Sequence, residues 1–363
     1  MDPRPACLVT GTVSAYRREA FRLLAEQEHV EVIAWEEAGP PVAGLTVHRT
    51  TEAGAARLAA SGRYRAVISG LNGRTAVLGA YLGARARRVP FVLWVGIWAH
   101  PRTAGHAVSL LPTRHLYRQA DAVATYGAHV SRHVNARRGA RGGVFVAPQA
   151  VDVEHFAARV SDADRVCARR RAGAEEAGLL VLYVGRLEPE KGVRVLFDAW
   201  ERADLGPGAR LAVAGAGPLE AEARRAGTGV RVLGYVGFLE LPALYAAADV
   251  LVLPSVRTAT FTEPWGLVVN EAMLQSTPVI ASDAVGAAAG GLVRDARNGL
   301  VFPAGDSAAL SAHLQTLARS PRLRERLGAQ ARTDASQLTP AAWAHGMHRA
   351  LAHAGASRGE TTC

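Results

Sequence analysis

The sequence predicts an α/β protein made of two doubly wound parallel sheets. Three observations carry this expectation. Short apolar runs alternate with helical patterns along the whole chain, as strands joined by crossover helices do. The chain has 363 residues, enough for two domains with separate cores. A polar stretch at residues 152–178, with an arginine run at 169–171, separates the two series of elements. The reading therefore places a first domain at 1–157, a second at 158–335, and a returning helix with a frayed tail at 336–363.

In the first domain the strand candidates are 6–10, 30–35, 66–69, 91–95 and 144–147, with helices near 17–27, 51–60, 75–87 and 115–120. The second repeats the pattern with strands at 179–184, 210–214, 230–233, 250–253, 278–281 and 300–302. Its helices are expected near 193–203, 218–225, 241–247 and 267–274. In open parallel sheets, ligands bind beyond the carboxyl ends of the strands. Two facing domains would place the active site in the cleft between them.

Composition narrows the class. Apolar residues make up 49% and charged residues 20%, as in globular proteins. No apolar run reaches the roughly 20 residues of a membrane span. The chain start lacks a basic region followed by a long apolar one and reads as a first strand. Cys7, Cys167 and Cys363 fit neither a disulfide framework nor a metal knuckle, so a reducing cytoplasm is the expected compartment.

The net charge is +10, with 19 Arg and 11 acids in residues 1–157, and 23 basic residues and 21 acids in 158–363. A basic first domain suggests an acidic partner, such as nucleic acid, an anionic membrane surface or a phosphorylated substrate. A merely solvated surface is the alternative. No nucleic-acid-binding signature accompanies the charge, so nucleic acid is not an expected partner. Peripheral contact with the inner membrane face, and an anionic or lipid-linked partner, are. Of the 42 basic residues only Lys191 is Lys. It marks a position where a compact ammonium is needed and a planar guanidinium does not fit.

Four groups of residues carry candidate chemistry. The segment 262–272, Thr-Glu-Pro-Trp-Gly-Leu-Val-Val-Asn-Glu-Ala, follows the apolar strand at 250–253. Pro264 keeps Glu263 in the loop, Gly266 permits a tight helix entry before Leu267, and Glu271 falls in the early turns. Eight residues apart across a turn, the two carboxylates can enter one cleft at different depths and accept sugar hydroxyls, while the helix start offers amides to an anion. At 183–192, a strand ends in Gly185 and the loop delivers Arg186 and Lys191, a fork and a point charge suited to a diphosphate. Gly215, Gly217 and Pro218 form a glycine turn after a strand, with Pro218 at a helix start. His100 follows the strand at 91–95, with His106, His129 and His133 nearby in sequence. Asp162 and Asp164 match an Asp-x-Asp metal motif by form, but no apolar strand precedes them, so no metal site is expected.

These residues together resemble glycosyltransferase family 4, the retaining enzymes of the GT-B fold among the "glycosyl transferases group 1". The likeness covers most of the chain and is best over 144–330. Glu263 and Glu271 match the family's Glu-x7-Glu motif, Gly185-Arg186-Leu187 with Lys191-Gly192 its diphosphate-binding pair, and Gly215 to Pro218 its Gly-x-Gly-Pro turn. The resemblance implies two Rossmann-like domains and metal-independent, retaining transfer of a sugar from a nucleoside-diphosphate-sugar. UDP is expected before GDP, as the commoner donor, and no cofactor is implied. Arg186 and Lys191 would hold the diphosphate, Glu271 the ribose, Glu263 the donor sugar, and amides near Gly266 and Leu267 the anion. His100 aligns with a family His near the donor sugar. The loop after the first strand, with Gly11, Thr12 and Arg17, would face the hydroxyl acceptor, but it lacks the family's frequent Gly-Gly. A final helix near 340–354 would pack on the first domain. A nucleotide-sugar epimerase of the same fold and an NAD-dependent oxidoreductase are the competing readings.

Overall fold

The apolar pentapeptides of the first half become the centre of one parallel sheet. A computed structural model describes residues 2–36, 39–100, 104–175 and 177–359; the side chain of His106, and Cys363, lie outside the described residues. The first sheet contains β1 (Ala6–Thr10), β2 (Val30–Ala34), β3 (Val47–Arg49), β4 (Ala66–Gly70), β5 (Phe91–Val95), β6 (Ala122–Thr125) and β7 (Val144–Val146). Their order is β3-β2-β1-β4-β5-β6-β7. Ala6 of β1 pairs with Val30 on one side and Ala66 on the other, both parallel. Every residue of β1, β4 and β5 is buried, because helices cover both faces and leave no polar side to the strands.

The second sheet contains β8 (Leu180–Val184), β9 (Arg210–Ala214), β10 (Val230–Gly234), β11 (Val250–Leu253), β12 (Val279–Ser282) and β13 (Gly299–Phe302). Its order, β10-β9-β8-β11-β12-β13, repeats that of the first. In each sheet the winding direction reverses once, between β1 and β4 and between β8 and β11. Such a switch point opens a crevice at the carboxyl ends of the strands.

The chain divides into one unit of residues 1–150 with 339–363 and a second of 151–338. The first boundary lies seven residues before the expected one. Asp152 caps the helix Val153–Ala157 through the His155 amide (3.0 Å). Phe156 of that helix is buried against Phe238 and Tyr245 of the second unit. The final helix, Pro340–Gly359, runs on past Ala354, where a frayed tail was expected. Trp343, Met347, Leu351 and Ala354 repeat at helical spacing and enter the first unit's core, where Trp343 meets Phe21 (5.3 Å between ring centres) and Trp94 (5.4 Å).

Several elements escaped the sequence reading. The edge strand β3 is only Val-His-Arg. β6 is Ala-Val-Ala-Thr, too small-sided to look like a strand. The helix Ala128–Arg138 has a weak apolar stripe, and the helix expected near 115–120 begins at Ala104. Asp162 and Asp164 open the helix Asp162–Arg171. Ser161 Oγ accepts from the Asp164 amide (3.1 Å), and Asp162 pairs with Arg165 (3.0 Å). They are spent on starting that helix.

Candidate functional site

Sequence and backbone together place the candidate residues of the second unit at its switch point. β8 ends at Val184 and hands over to Gly185, Arg186 and the buried Leu187. A short turn, Pro189–Lys191, then leads through Gly192 into the amphipathic helix Val193–Ala203. Gly192 has φ +69°, and a Cβ there would lie 1.9 Å from the Pro254 carbonyl oxygen. Only glycine lets this turn approach the loop after β11 so closely. The Val256 amide, donating to Glu190 O (3.0 Å), ties the two loops together.

That approach brings Lys191 and Glu263 into contact. The Lys191 ammonium donates to Glu263 Oε2 at 2.5 Å, the Ser255 hydroxyl donates to the same oxygen at 3.1 Å, and the ammonium sits 4.9 Å from the Phe261 ring centre. Both side chains are largely buried, Lys191 at 14% exposure and Glu263 at 8%. The sequence's one Lys is thus a desolvated cation held against a carboxylate. A long guanidinium fork does not suit this contact.

Pro264 keeps Glu263 out of the helix, as expected. The Gly286 amide donates to Glu263 O (3.1 Å) and the Ala287 amide to Trp265 O (2.8 Å), which fixes the loop. Gly266, with φ +92°, starts the helix Leu267–Leu274, and no side chain caps that start. The amides at Leu267 therefore keep their capacity for an anion. Trp265, just before the helix, donates from Nε1–H to Asn270 Oδ1 within it (2.8 Å). Glu271 is held apart from the Lys191 pair, accepting from the Tyr245 hydroxyl at 2.6 Å. Burial pushes its carboxyl up to about 7, against the lowering effect of that hydrogen bond.

Arg186 differs from Lys191. It is exposed and pairs with Glu188 (2.5 Å), while the Tyr183 hydroxyl holds its carbonyl (2.7 Å). The glycine turn after β9 serves loop packing. A Cβ on Gly215 would lie 1.8 Å from Gly185 O, and one on Gly217 2.6 Å from Leu187 O. The Leu187 amide donates to Ala216 O (2.9 Å), locking the loops after β8 and β9 together. Pro218 is not the first helical residue. The expected helix at 218–225 shrinks to Glu220–Ala223, and Pro218 stands in the turn before it.

A cavity of about 460 Å³ opens beside these loops, lined by Gly185, Arg186, Gly215, Tyr235, Val236 and Phe238 among others. Tyr235 is 80% exposed. The sequence reading missed Tyr235, Val236 and Phe238. The available signal was Gly-Tyr-Val-Gly at 234–237, which leaves β10 at the same carboxyl end as the two recognised loops.

In the first unit the expected acceptor loop follows β1. Gly11 O accepts from the Trp35 (3.2 Å) and Glu36 (2.8 Å) amides, and Thr12 O accepts from the Thr10 hydroxyl (3.4 Å). Arg17 donates to the Tyr126 hydroxyl (2.7 Å) and lies 4.7 Å from the Trp94 ring centre. His100 neighbours His133, whose ring is held down to about 4 by burial first, then by Arg137 and His100. His129 is buried with its ring against Trp98 (5.3 Å). Among the described residues no group of three His, Cys, Asp or Glu side chains could hold a metal ion.

Comparison with known proteins bears on the second unit and on the fold. Residues 167–334 match the family model described as glycosyl transferases group 1. The chain is 38% identical over 160 residues to a phosphatidyl-myo-inositol mannosyltransferase of Mycobacterium leprae, covering 43% of this chain and 41% of that protein. It is 36% identical over 214 residues to a D-inositol 3-phosphate glycosyltransferase of Geodermatophilus obscurus, covering 53% and 44%. The chain thus spans under half the length of these relatives. Among solved structures, Anabaena HepE in complex with UDP and glucose superposes with a TM-score of 0.76 at 20% identity, covering 96% of this chain and 99% of that one. Sucrose-phosphate synthase from Thermosynechococcus elongatus does so with 0.76 at 20%, covering 95% and 97%. At that identity the likeness speaks to fold. The two parallel sheets have the GT-B fold of those structures, and residues 167–334 are similar to the glycosyl transferases group 1 family.

Proposed function

We propose that this protein is a retaining glycosyltransferase of family 4, which moves a sugar from a nucleoside-diphosphate-sugar to an acceptor hydroxyl without a metal ion. The observation that carries the reading is the buried Lys191–Glu263 pair beside the uncapped helix start at Leu267. A sugar diphosphate has complementary chemistry, two anionic phosphates next to a hydroxylated ring. Lys191, Arg186 and the helix amides would take the diphosphate, and Glu263 would accept from sugar hydroxyls. The cavity lined by Tyr235 and Phe238 would take the nucleoside base, and Glu271 the ribose. UDP is the proposed nucleotide, in keeping with the UDP held by Anabaena HepE.

In the reaction the bond between the anomeric carbon and the β-phosphate oxygen breaks, and a bond to the acceptor oxygen forms on the same face. The acceptor proton passes to the departing phosphate oxygen, releasing nucleoside diphosphate. Catalysis rests on positioning and on charge stabilisation by the two cations and the amides. The acceptor is proposed to approach the loop with Gly11, Thr12 and Arg17. Arg17, stacked on Trp94, suits an acceptor with an acidic group, small or lipid-linked. His100 is proposed to act near the donor sugar.

The test is to incubate the protein with UDP- and GDP-sugars and candidate acceptors in the presence of EDTA, reading nucleotide release and product anomer by NMR. The reading expects a product with the donor's anomeric configuration. An inverted product, or transfer only with added divalent metal, contradicts it. Interconversion of donor sugars without an acceptor would identify an epimerase.

A further inference from the structure

The charge of +10 is not spread over the chain. Residues 74–150 hold 11 Arg and one acid, while 1–73 and 151–363 are each neutral. The one acid, Asp121, is buried and paired, accepting from Arg85 (3.1 Å) and the Phe91 amide (2.8 Å). Arg138 is also internal, donating to Tyr117 O (2.6 Å) and Asp121 O (3.2 Å). Arg74, Arg87, Arg88, Arg114 and Arg118 are exposed.

The same stretch carries every exposed large apolar side chain of the first unit among the described residues. Leu82 is 62% exposed, Val108 79% and Leu111 73%, with Leu78 at 40%; Val146, on β7, is 44% exposed. Leu78 and Leu82 are four apart on the helix Thr75–Ala86, one turn beyond Arg74. Val108, Leu111, His115 and Arg118 follow at three- and four-residue steps on the helix Ala104–Gln119. The helices are joined by Tyr81 and His115, hydrogen-bonded at 3.1 Å with rings edge to face, and by Arg85 donating to Gln119 O. Leu116 and Tyr117 of the second helix enter the core with Ala80 and Ala84 of the first. Leu78, Leu82, Val108 and Leu111 are not part of that core.

We propose that the face of the first unit formed by these two helices is a peripheral docking surface for an anionic lipid bilayer. Isolated exposed leucines are common. Here they sit among arginines with no exposed acid in 77 residues. That combination matches a bilayer surface, where apolar side chains enter the headgroup boundary and arginines meet lipid phosphates. A nucleic acid would use the arginines but gain nothing from Leu82, Val108 and Leu111.

The experiment is flotation of the full chain with phosphatidylcholine vesicles, with and without phosphatidylglycerol. Binding is expected only with phosphatidylglycerol and should weaken with salt. Leu82→Ser with Leu111→Ser should weaken it about tenfold or more, and Arg87→Gln, Arg88→Gln and Arg114→Gln together about a hundredfold. All five positions are exposed, so unchanged unfolding midpoints should show the variants folded. No binding to phosphatidylglycerol vesicles at low salt overturns the proposal. So does binding that survives the Leu82→Ser, Leu111→Ser change, as does equally tight, Leu-independent binding to polyuridylic acid.

Discussion

The two units wind their sheets in the same order and switch direction at the same place, yet their switch points are built differently. In the second unit, backbone meets backbone. Gly192 lies against Pro254 and Gly215 against Gly185, and an ion pair closes the space between loops. In the first unit, the Trp35 and Glu36 amides tie Gly11 O, but side chains hold the rest of the loop after β1, Arg17 on Trp94 and Tyr126, and the atoms nearest a Cβ on Gly11 belong to the side chains of Asn72 (3.0 Å) and Glu36 (3.3 Å). Backbone-packed loops hold one ligand geometry and tolerate few residue types. Side-chain-packed loops can be re-cut for a new ligand. The contrast fits the proposed division, in which the second unit takes a common donor and the first a particular acceptor.

The largest effect that sharpens this contrast is expected at Lys191. Lys191→Ala leaves Glu263 buried without its cation, at a cost of about 3 kcal/mol or more. Lys191→Ala with Glu263→Gln should recover much of that stability in urea unfolding but no nucleotide affinity. Next comes glycine. Gly215→Ala places a methyl 1.8 Å from a backbone oxygen and should cost about 2 kcal/mol or more. Gly11→Ala, whose nearest neighbours are side-chain ends, should cost under about 1 kcal/mol. Equal costs would erase the contrast. Arg17→Ala should leave nucleoside diphosphate affinity unchanged while lowering transfer at least about tenfold. A loss of nucleotide affinity would break the division of labour.

The smallest effect is a pH dependence at Glu271. Its carboxyl is raised from 4.5 to about 7 in the folded protein. The native state therefore binds a proton more tightly than the unfolded chain, and this group's contribution to stability falls as pH rises from about 4.5 to 7. Glu271→Gln, which carries no such charge, should gain in unfolding midpoint over the parent as pH rises from about 5 to 8. It should also flatten a rise in UDP affinity over the upper part of that range, because the carboxylate is the better acceptor for ribose hydroxyls. A constant gap in midpoint would remove Glu271 as the titrating group.

Legibility followed the same division. The helices Val193–Ala203, Leu241–Ala247 and Leu267–Leu274 begin and end where the sequence reading put them, because Gly192, Gly266 and the Pro at 242 punctuate them locally. The contact between Lys191 and Glu263 was not legible. It joins residues 72 apart and depends on which strands neighbour one another at the switch point. Tyr235 and Phe238 were missed because a cavity wall has no periodicity. In the first unit, β6 and the helix Ala128–Arg138 were lost to alanine-rich and arginine-rich stretches that carry little apolar contrast. The clustering of charge in 74–150 was in the sequence throughout, but a count over the whole first half diluted it.

The most direct test of the central claim, a nucleoside diphosphate site at the β8–β11 switch point, is calorimetric titration of UDP into the parent protein and into Lys191→Ala, with EDTA present. The account predicts binding by the parent and an affinity at least about tenfold lower in the variant. UDP and GDP both failing to bind the parent, or binding that Lys191→Ala leaves unchanged, would contradict it.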